Sequence, residues 1–323
     1  MEKVDILLAT YNGETYLKEQ LNSILNQTHK DFNLIVSDDN SKDSTVKILE
    51  EYAKKDSRIK IFKQDKNLGV IANFEFLLSK VTSNYFMFSD QDDIWNEDKI
   101  EKSLRRLEET NSDIVFTDLM VVDDKLNILF DSYWSLKGFK EKILKHNSFE
   151  ALYLNNYVTG CTMLMKKDVI SKVLPLPKKS KYVLHDYWIV LITSQSGKVE
   201  FLNEATIKYR QHKNNRVGSK KKTESIETLS EIRNLFIDVK KEHFLTFIEN
   251  EDKFEKQETK ELNKKALAYY ENLEKHKYAS FSSWGLFRKL YRYEDRKYTI
   301  ENFLILNLPI LVAPIFKIRK LMK

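Results

Sequence analysis

Three carboxylates fall within four positions, Asp90, Asp92 and Asp93, directly after the apolar run Phe86-Met87-Phe88 and just before Ile94-Trp95. Like charges this close repel one another unless something positive sits among them. Oxygen-only ligands of this kind suit a hard cation such as Mg²⁺ or Mn²⁺, bound through one or two carboxylates plus phosphate oxygens. The same residues also fit a surface turn, because Asn96-Glu97-Asp98 reads as a helix start. A further carboxylate, Asp186, stands in His185-Asp186-Tyr187-Trp188 at the start of a helical pattern that runs to about Ser196. It fits an N-cap, worth about 1 kcal/mol, or a general base beside bulky aromatics. His212, one of six histidines, lies in Tyr209-Arg210-Gln211-His212-Lys213-Asn214-Asn215 and fits either a structural imidazole or a metal ligand.

The elements around these residues determine whether they can meet. Val4–Ala9 is an apolar run ending at Thr10-Tyr11-Asn12-Gly13, followed by a helical pattern through Tyr16, Leu17, Leu21, Ile24 and Leu25. Phe32–Val36 is a second strand ending in Ser37-Asp38-Asp39-Asn40-Ser41, and Val46, Ile48, Leu49 and Tyr52 mark the next helix. Ile59–Phe62 is a third strand, after which Asn67-Leu68-Gly69 turns into a helix carrying Ile71, Phe74, Leu77 and Leu78. The run before Asp90 is the fourth strand and Asp113–Thr117 the fifth. Strands alternating with helices of about a dozen residues indicate βαβ units, hence an α/β fold with a mostly parallel sheet flanked by helices. The polar clusters at the ends of strands one, two and four then converge on one rim, where such sheets bind ligands. The dinucleotide glycine fingerprint and the P-loop are both missing, so a nucleotide must be held by side chains and a metal. Beyond Asp118 the alternation loosens, and Val121–Trp134 reads as irregular or hairpin-like. Val158–Met165 reads as a strand entered through Gly160, where backbone can approach a ligand. Thr206–Arg210 is a further strand.

Composition fits this picture. The 323 residues, 32% charged and 12% aromatic, have room for a large folded core and show no disordered or collagen-like bias. Seven glycines and four prolines argue against long flexible linkers, and a single cysteine, Cys161, excludes an internal disulfide and fits a reducing compartment. Neither a signal peptide nor a transmembrane helix is expected. The net charge of +6 suits nucleic acid or an anionic membrane equally, but no nucleic-acid module accompanies it and nucleic-acid binding is not expected.

Together the motifs Ala9-Thr10-Tyr11-Asn12, Asp38-Asp39-Asn40-Ser41, Asp90-Gln91-Asp92, His185-Asp186-Tyr187-Trp188 and the later His212 resemble the family 2 glycosyltransferases of the GT-A (Rossmann-like) fold. The resemblance covers roughly residues 3–218. It implies an inverting enzyme that uses a nucleotide-diphosphate sugar and a divalent metal, Mg²⁺ or Mn²⁺. By the same resemblance Thr10, Tyr11, Asn12, Asp39 and Asn67 bind the nucleotide sugar, with Asp39 at the nucleobase. Asp90 lies closer to the ribose or a metal-bound water, Asp92 is the main metal ligand, His212 reaches back to the metal or diphosphate, and Asp186 is the catalytic base. Gly160 and Trp188 are acceptor-side candidates. The strings SDQDDIW, VTGCTM, HDYW and YRQHKNN resemble a subgroup of rhamnosyltransferases of bacterial cell-wall and capsular polysaccharide synthesis. That implies dTDP-β-L-rhamnose as donor and a growing, lipid-linked cell-surface glycan as acceptor. UDP-hexose or UDP-galactofuranose transfer is the alternative within the fold, and a non-catalytic nucleotide-sugar or glycan-binding protein the alternative outside catalysis.

Residues 1–218 are therefore expected to form the catalytic domain, with a nucleotide-sugar half over about 1–118 and an acceptor half over about 119–218. Residues 219–323 are expected to form a helical C-terminal region. There Trp284, Leu286, Phe287, Leu290, Tyr291 and Tyr293 interleave with Arg288, Lys289, Arg292, Arg296 and Lys297. A proline-broken apolar stretch, Phe303–Phe316, follows, and Lys317, Arg319, Lys320 and Lys323 close the chain. This pattern fits either a helical tail packed on protein or a segment lying in an anionic interface. The expected location is cytoplasmic, with peripheral contact to the inner face of the membrane under the second reading.

Overall fold

The computed structural model describes residues 2–136, 149–212, 229–276, 284–291 and 296–307. Two compact units divide the chain: Met1–Lys178 with Leu184–Val217, and Lys179–Val183 with Gly218–Lys323. In the first unit, β1 (Val4–Thr10), α1 (Leu17–Leu25), β2 (Phe32–Asp38), α2 (Thr45–Ala53), β3 (Ile59–Lys63), α3 (Val70–Leu78) and β4 (Tyr85–Ser89) alternate as the sequence predicts. β1 pairs in parallel with both β2 and β4, and β2 with β3. These strands read as near-continuous apolar runs because helices cover both faces of the sheet. Val4, Ile6 and Leu8 of β1 join Leu17, Leu21 and Ile24 of α1 in one buried cluster.

The chain then continues through β5 (Ile94–Trp95), α4 (Lys99–Thr110), β6 (Ile114–Val122), β7 (Ile128–Phe130), α5 (Tyr133–Leu136), α6 (Phe149–Leu152), β8 (Met163–Lys166), α7 (Val169–Val173), α8 (His185–Thr193) and β9 (Val199–Arg210). The nine-stranded sheet has the order β3-β2-β1-β4-β8-β6-β9-β5, with β7 beside β6. β8 runs antiparallel between β4 and β6, so the sheet is mixed where a mostly parallel one was expected. Because β8 alone is reversed there, β4 and β6 still point the same way and deliver their C-terminal ends to one rim. β5 pairs antiparallel with β9 at Ile94↔Lys208 and Trp95↔Ile207, which fastens the end of the acidic loop to the strand that leads to His212.

Two elements differ from their sequence reading, and a third, read as irregular or hairpin-like, is a hairpin. The expected strand Val158–Met165 is confined to β8, because Gly160–Thr162 forms a short 3₁₀ turn in front of it. β9 is longer than Thr206–Arg210: polar Glu200, Asn203 and Glu204 mask its alternation, yet it pairs along β6 from Val199 onward. Val121–Trp134 contains a hairpin of β6 and β7, turned by Asp123, whose Oδ1 accepts the amides of Lys125 and Asn127 at 2.9 and 2.8 Å.

The second unit holds α9 (Leu229–Glu249), α10 (Gln257–Lys275), α11 (Trp284–Leu290) and α12 (Arg296–Asn307). Arg233 donates to the carbonyls of Leu306 (3.0 Å) and Leu273 (2.6 Å), satisfying two helix C-terminal groups at once. Phe287 stacks on Tyr291 at 4.2 Å, and the Tyr291 hydroxyl meets that of Tyr270 at 3.0 Å. Phe287, Leu290, Tyr291 and Phe303 are all buried. Phe287, Leu290 and Tyr291 of the aromatic and basic stretch are thus core of this unit and are not available to a lipid interface. Among the described residues no helix is long and apolar enough to cross a membrane. The proline-broken end, 308–323, lies outside the described residues.

One buried charge holds the start of the sheet. Asp5 on β1 accepts hydrogen bonds from Asn33 Nδ2 (2.7 Å), Thr82 N (2.7 Å), Ser83 N (2.9 Å) and Ser83 Oγ (2.7 Å). Burial raises the pKa of this carboxyl, but the hydrogen bonds outweigh it and leave the group below its ordinary value of 3.8. A depressed folded-state pKa contributes stability above the unfolded value that is lost as pH falls through the folded one. Asp5→Ala would strand the Thr82 and Ser83 amides and should cost the first unit about 2–4 kcal/mol at neutral pH. Urea unfolding measures this, and the gap between wild type and variant should narrow below about pH 4. Equal midpoints at pH 7 would rule the staple out.

Candidate active site

The first-strand loop and the acidic pair after β2 interlock. Thr10 Oγ1 donates to Asp38 Oδ1 at 2.9 Å, and Asp39 N donates to Thr10 O at 2.8 Å. Asn12, at φ 47°, donates its amide to Ser41 Oγ at 2.9 Å and accepts the Lys42 amide at 2.8 Å. Asp39 accepts the amides of Leu68 (2.6 Å) and Gly69 (2.9 Å), fixing the loop before α3, and Asn67 Nδ2 donates to Asp39 O at 3.4 Å. Thr10, Tyr11, Asn12, Asp39 and Asn67 therefore share one rim. Two backbone bonds occupy only part of the acceptor capacity of the Asp39 carboxylate, so it can still receive a ligand N–H.

The acidic loop after β4 is anchored by amide side chains. Gln91, the middle residue of Asp90-Gln91-Asp92, accepts the Tyr11 amide at 2.8 Å and donates to the Tyr11 carbonyl at 3.0 Å. Gly13 makes room for this clasp: a Cβ there would lie 2.2 Å from Gln91 Oε1. From α1, Gln20 Nε2 donates to Ser89 Oγ (2.7 Å) and Asp90 O (3.0 Å). Sequence reasoning missed both glutamines, since neither residue type signals chemistry. What singles them out is amide pairing across long sequence separations, which only the fold reveals.

The three carboxylates face different ways. Asp93 is fully buried. Burial above all, then the charges of Asp92 and Asp90, push its carboxyl well above the ordinary range. Buried Lys99 lies on the same inner side with its ammonium 4.8 Å from the Trp95 ring centroid. Burial draws Lys99 down to about 7 despite the opposing influence of Cys161 and Asp93. Asp90 is pushed up to about 7 by burial, then by the charges of Asp92 and Asp186. Asp92 turns outward, its Oδ2 lying 2.8 Å from His212 Nε2.

Among the described residues two groupings could hold a cation. Ligand atoms of Asp90, Asp93 and Cys161 all lie within 4.8 Å of one another. That inner grouping is a poor cation site, because Lys99 stands beside it and burial keeps the thiol protonated. Asp92 and His212 are better placed. Adjacent ligands of an octahedral cation with bonds of about 2.1 Å are about 3 Å apart, close to their 2.8 Å separation. The charge of Asp92 adds to the rise that burial imposes on Asp90, and a cation at Asp92 would relieve that part. The donor set thus fits a hard divalent ion.

Asp186 lies in the first turn of α8, whose N-cap position is Leu184 and carries no side-chain cap, so Asp186 is not the N-cap. Its Oδ2 accepts the Gly160 amide at 3.1 Å and its Oδ1 the Tyr187 amide at 2.7 Å. Both oxygens are thereby oriented, and the carboxylate is near enough to Asp90 to raise its pKa. Gly160 is buried, and its part is to orient Asp186 through its amide. Trp188, expected on the acceptor side, is fully buried and donates its indole N–H to Val173 O at 2.9 Å. It is a core anchor, because a helix residue two positions beyond Asp186 points away from the rim.

Gly160→Ala tests the geometry of the Asp186 carboxylate. The new Cβ would meet His185 Nε2 at 3.0 Å and Asp186 Cβ at 3.3 Å. Displacing a reacting group by a fraction of an ångström should lower turnover by about 10- to 100-fold with the circular dichroism unchanged. Wild-type turnover in this variant would show that the Gly160 contact does not set the position of Asp186.

Residues 5–174 match the family described as Glycosyl transferase family 2. The chain is 31% identical over 232 residues to an uncharacterized glycosyltransferase of Haemophilus influenzae, covering 71% of this chain and 72% of that one. It is 30% identical over 223 residues to the dTDP-rhamnosyl transferase RfbG of Shigella flexneri, covering 66% and 74%. Its fold is similar to that of S. aureus TarS 1–349, solved in complex with UDP-GlcNAc, with a TM-score of 0.54 at 15% identity over 90% of this chain and 80% of that one.

Proposed function

The chain belongs to glycosyl transferase family 2, and from that premise we propose an inverting, metal-dependent transfer of L-rhamnose from dTDP-β-L-rhamnose to a hydroxyl of a bacterial cell-surface glycan. The observation that carries the reading is the carboxylate of Asp186, held by two backbone amides and facing the acidic loop of Asp90 and Asp92. The choice of rhamnose is supported by similarity to the Shigella protein of that name.

Thr10, Tyr11, Asn12, Asp39 and Asn67 would grip the nucleoside diphosphate, with Asp39 at the base. Asp92 and His212 would hold the cation, which supplies neutralising charge at the diphosphate as it leaves. Asp186 accepts the proton of the attacking hydroxyl, a role typically worth about 10²- to 10⁴-fold in rate. Attack from the face opposite the leaving group inverts the anomeric centre and yields an α-rhamnoside.

Asp186→Asn keeps size and polarity while removing the proton acceptor. Turnover should fall by about 100-fold or more with donor binding retained; a near-normal rate would reduce Asp186 to ordering the start of α8. Asp92→Asn should abolish the Mn²⁺ requirement along with most activity, and full turnover in EDTA would remove the metal from the reading. A nucleotide that binds the native state raises its apparent melting temperature. Greater stabilisation by dTDP than by UDP, each with Mn²⁺, supports rhamnose, and the reverse order supports a UDP-hexose.

The membrane contact is assigned to the end of the chain, since Phe287, Leu290 and Tyr291 are core. Residues 308–323 combine apolar residues with Lys317, Arg319, Lys320 and Lys323, each basic residue worth about 1 kcal/mol at an anionic surface. Truncation after Asn307 should therefore weaken co-sedimentation with anionic vesicles at low salt and leave transfer to a soluble acceptor intact. Equal co-sedimentation of both forms would separate the tail from any membrane role.

A further inference from the structure

Arg210 lies at the end of β9, two residues before His212, and is almost completely buried. A buried guanidinium needs several acceptors, and its planar fork of N–H groups is suited to tying separate segments together. Its Nε donates to the backbone carbonyl of Asp92 at 2.9 Å, and its own backbone amide donates to Asp93 Oδ1 at 3.1 Å. Nη1 donates to the carbonyl of Asp124 in the β6–β7 hairpin at 2.8 Å, and Nη2 pairs with Glu19 of α1. The guanidinium also lies 4.4 Å from the ring centroid of Tyr16, just before α1. That same ring stands 4.8 Å from the imidazole of His212.

Arg210 and His212 are therefore linked in two ways: by two residues of chain, and by a shared aromatic ring. One cation of β9 grips the main chain of Asp92, while the imidazole that follows meets its side chain at 2.8 Å. We infer that Arg210 is a positioning residue that holds the Asp92 carboxylate and the His212 imidazole at the spacing a divalent cation requires. It fixes the acidic loop from behind and brings a full positive charge to a segment crowded with carboxylates. The inference rests on the metal reading of Asp92 and His212 given above. Partners that orient a metal ligand typically govern 10- to 100-fold in metal affinity.

The test is Mn²⁺ binding by isothermal titration calorimetry to the full chain in the presence of UDP or dTDP, alongside Mn²⁺-dependent kinetics. Arg210→Lys retains the charge but loses the fork, so the apparent Mn²⁺ affinity should weaken by about 10-fold or more. The KM for the donor at saturating Mn²⁺ should change much less. Tyr16→Leu removes the shared ring from a partly exposed position and should weaken Mn²⁺ binding in the same direction, which keeps the inference testable if Arg210→Lys does not fold. In a His212→Ala background the Arg210→Lys effect should shrink, because groups acting as one unit are non-additive. If wild type binds Mn²⁺ while both variants bind it equally well, Arg210 is only a structural anchor and the inference is overturned. If wild type binds no Mn²⁺ with either nucleotide, the metal reading itself fails and the inference falls with it.

Discussion

The structure depends on keeping three carboxylates together at the end of β4. Left in water they would spread apart; folded, Asp90, Asp92 and Asp93 sit within four positions on a loop whose main chain is held on every side. The fold divides the charge by direction. Asp93 turns inward toward Lys99, Asp92 turns outward to His212, and Asp90 lies between them with its carboxyl lifted by burial and by its neighbours. The buried guanidinium of Arg210 from β9 stands against this negative charge, and buried Lys99 from α4, drawn down to about 7, lies beside Asp93. The guanidinium needs these acceptors, because a buried charge without a partner is strongly destabilising. The site is thus built as a charged assembly before any ligand arrives.

The mixed sheet brings that assembly to one rim. β1, β2 and β4 are parallel, so their C-terminal loops meet. The reversed β8 fills the space between the parallel β4 and β6, and the 3₁₀ turn in front of it opens with Gly160, whose amide meets Asp186. The two-residue β5 fastens the acidic loop to β9, so Arg210 and His212 end where Asp92 begins. Six segments far apart in the chain meet through backbone pairing and a few polar side chains, not through a continuous motif.

Much of this was legible in the sequence because the signals are local. Apolar runs alternating with helical patterns gave β1 to β4 and their helices, and polar clusters at strand ends marked the rim. Asp92, His212 and Asp186 stood out because carboxylates and imidazoles advertise chemistry by type. What could not be read was set by long-range contact. Gln91 appeared as a spacer, yet its amide pairs with Tyr11 eighty positions away. Trp188 looked like an acceptor platform because it follows Asp186, but helix geometry turns it into the core. The interleaved aromatics and basic residues of α11 resemble an interfacial helix, and only the presence of α10 shows that Phe287 and Tyr291 pack on protein. β9 escaped full detection because its polar residues hide a period-two pattern that pairing with β6 enforces.

The way the motif residues use their hydrogen bonds also explains why motifs report reaction type better than sugar identity. Asp39 binds the main chain of Leu68 and Gly69, Gln91 that of Tyr11, Arg210 that of Asp92, and Asp186 receives the amide of Gly160. These contacts read backbone, so they fix where each loop lies and say nothing about which hydroxyl pattern a donor presents. Substituting any of them disturbs the frame common to every donor. Discrimination between sugars must come from side chains that line the space the frame encloses, and a hydrophobic or hydroxyl difference there can be tuned without touching the frame. A fold that locks its reactive groups through main-chain contacts can therefore keep one chemistry while its pocket walls change.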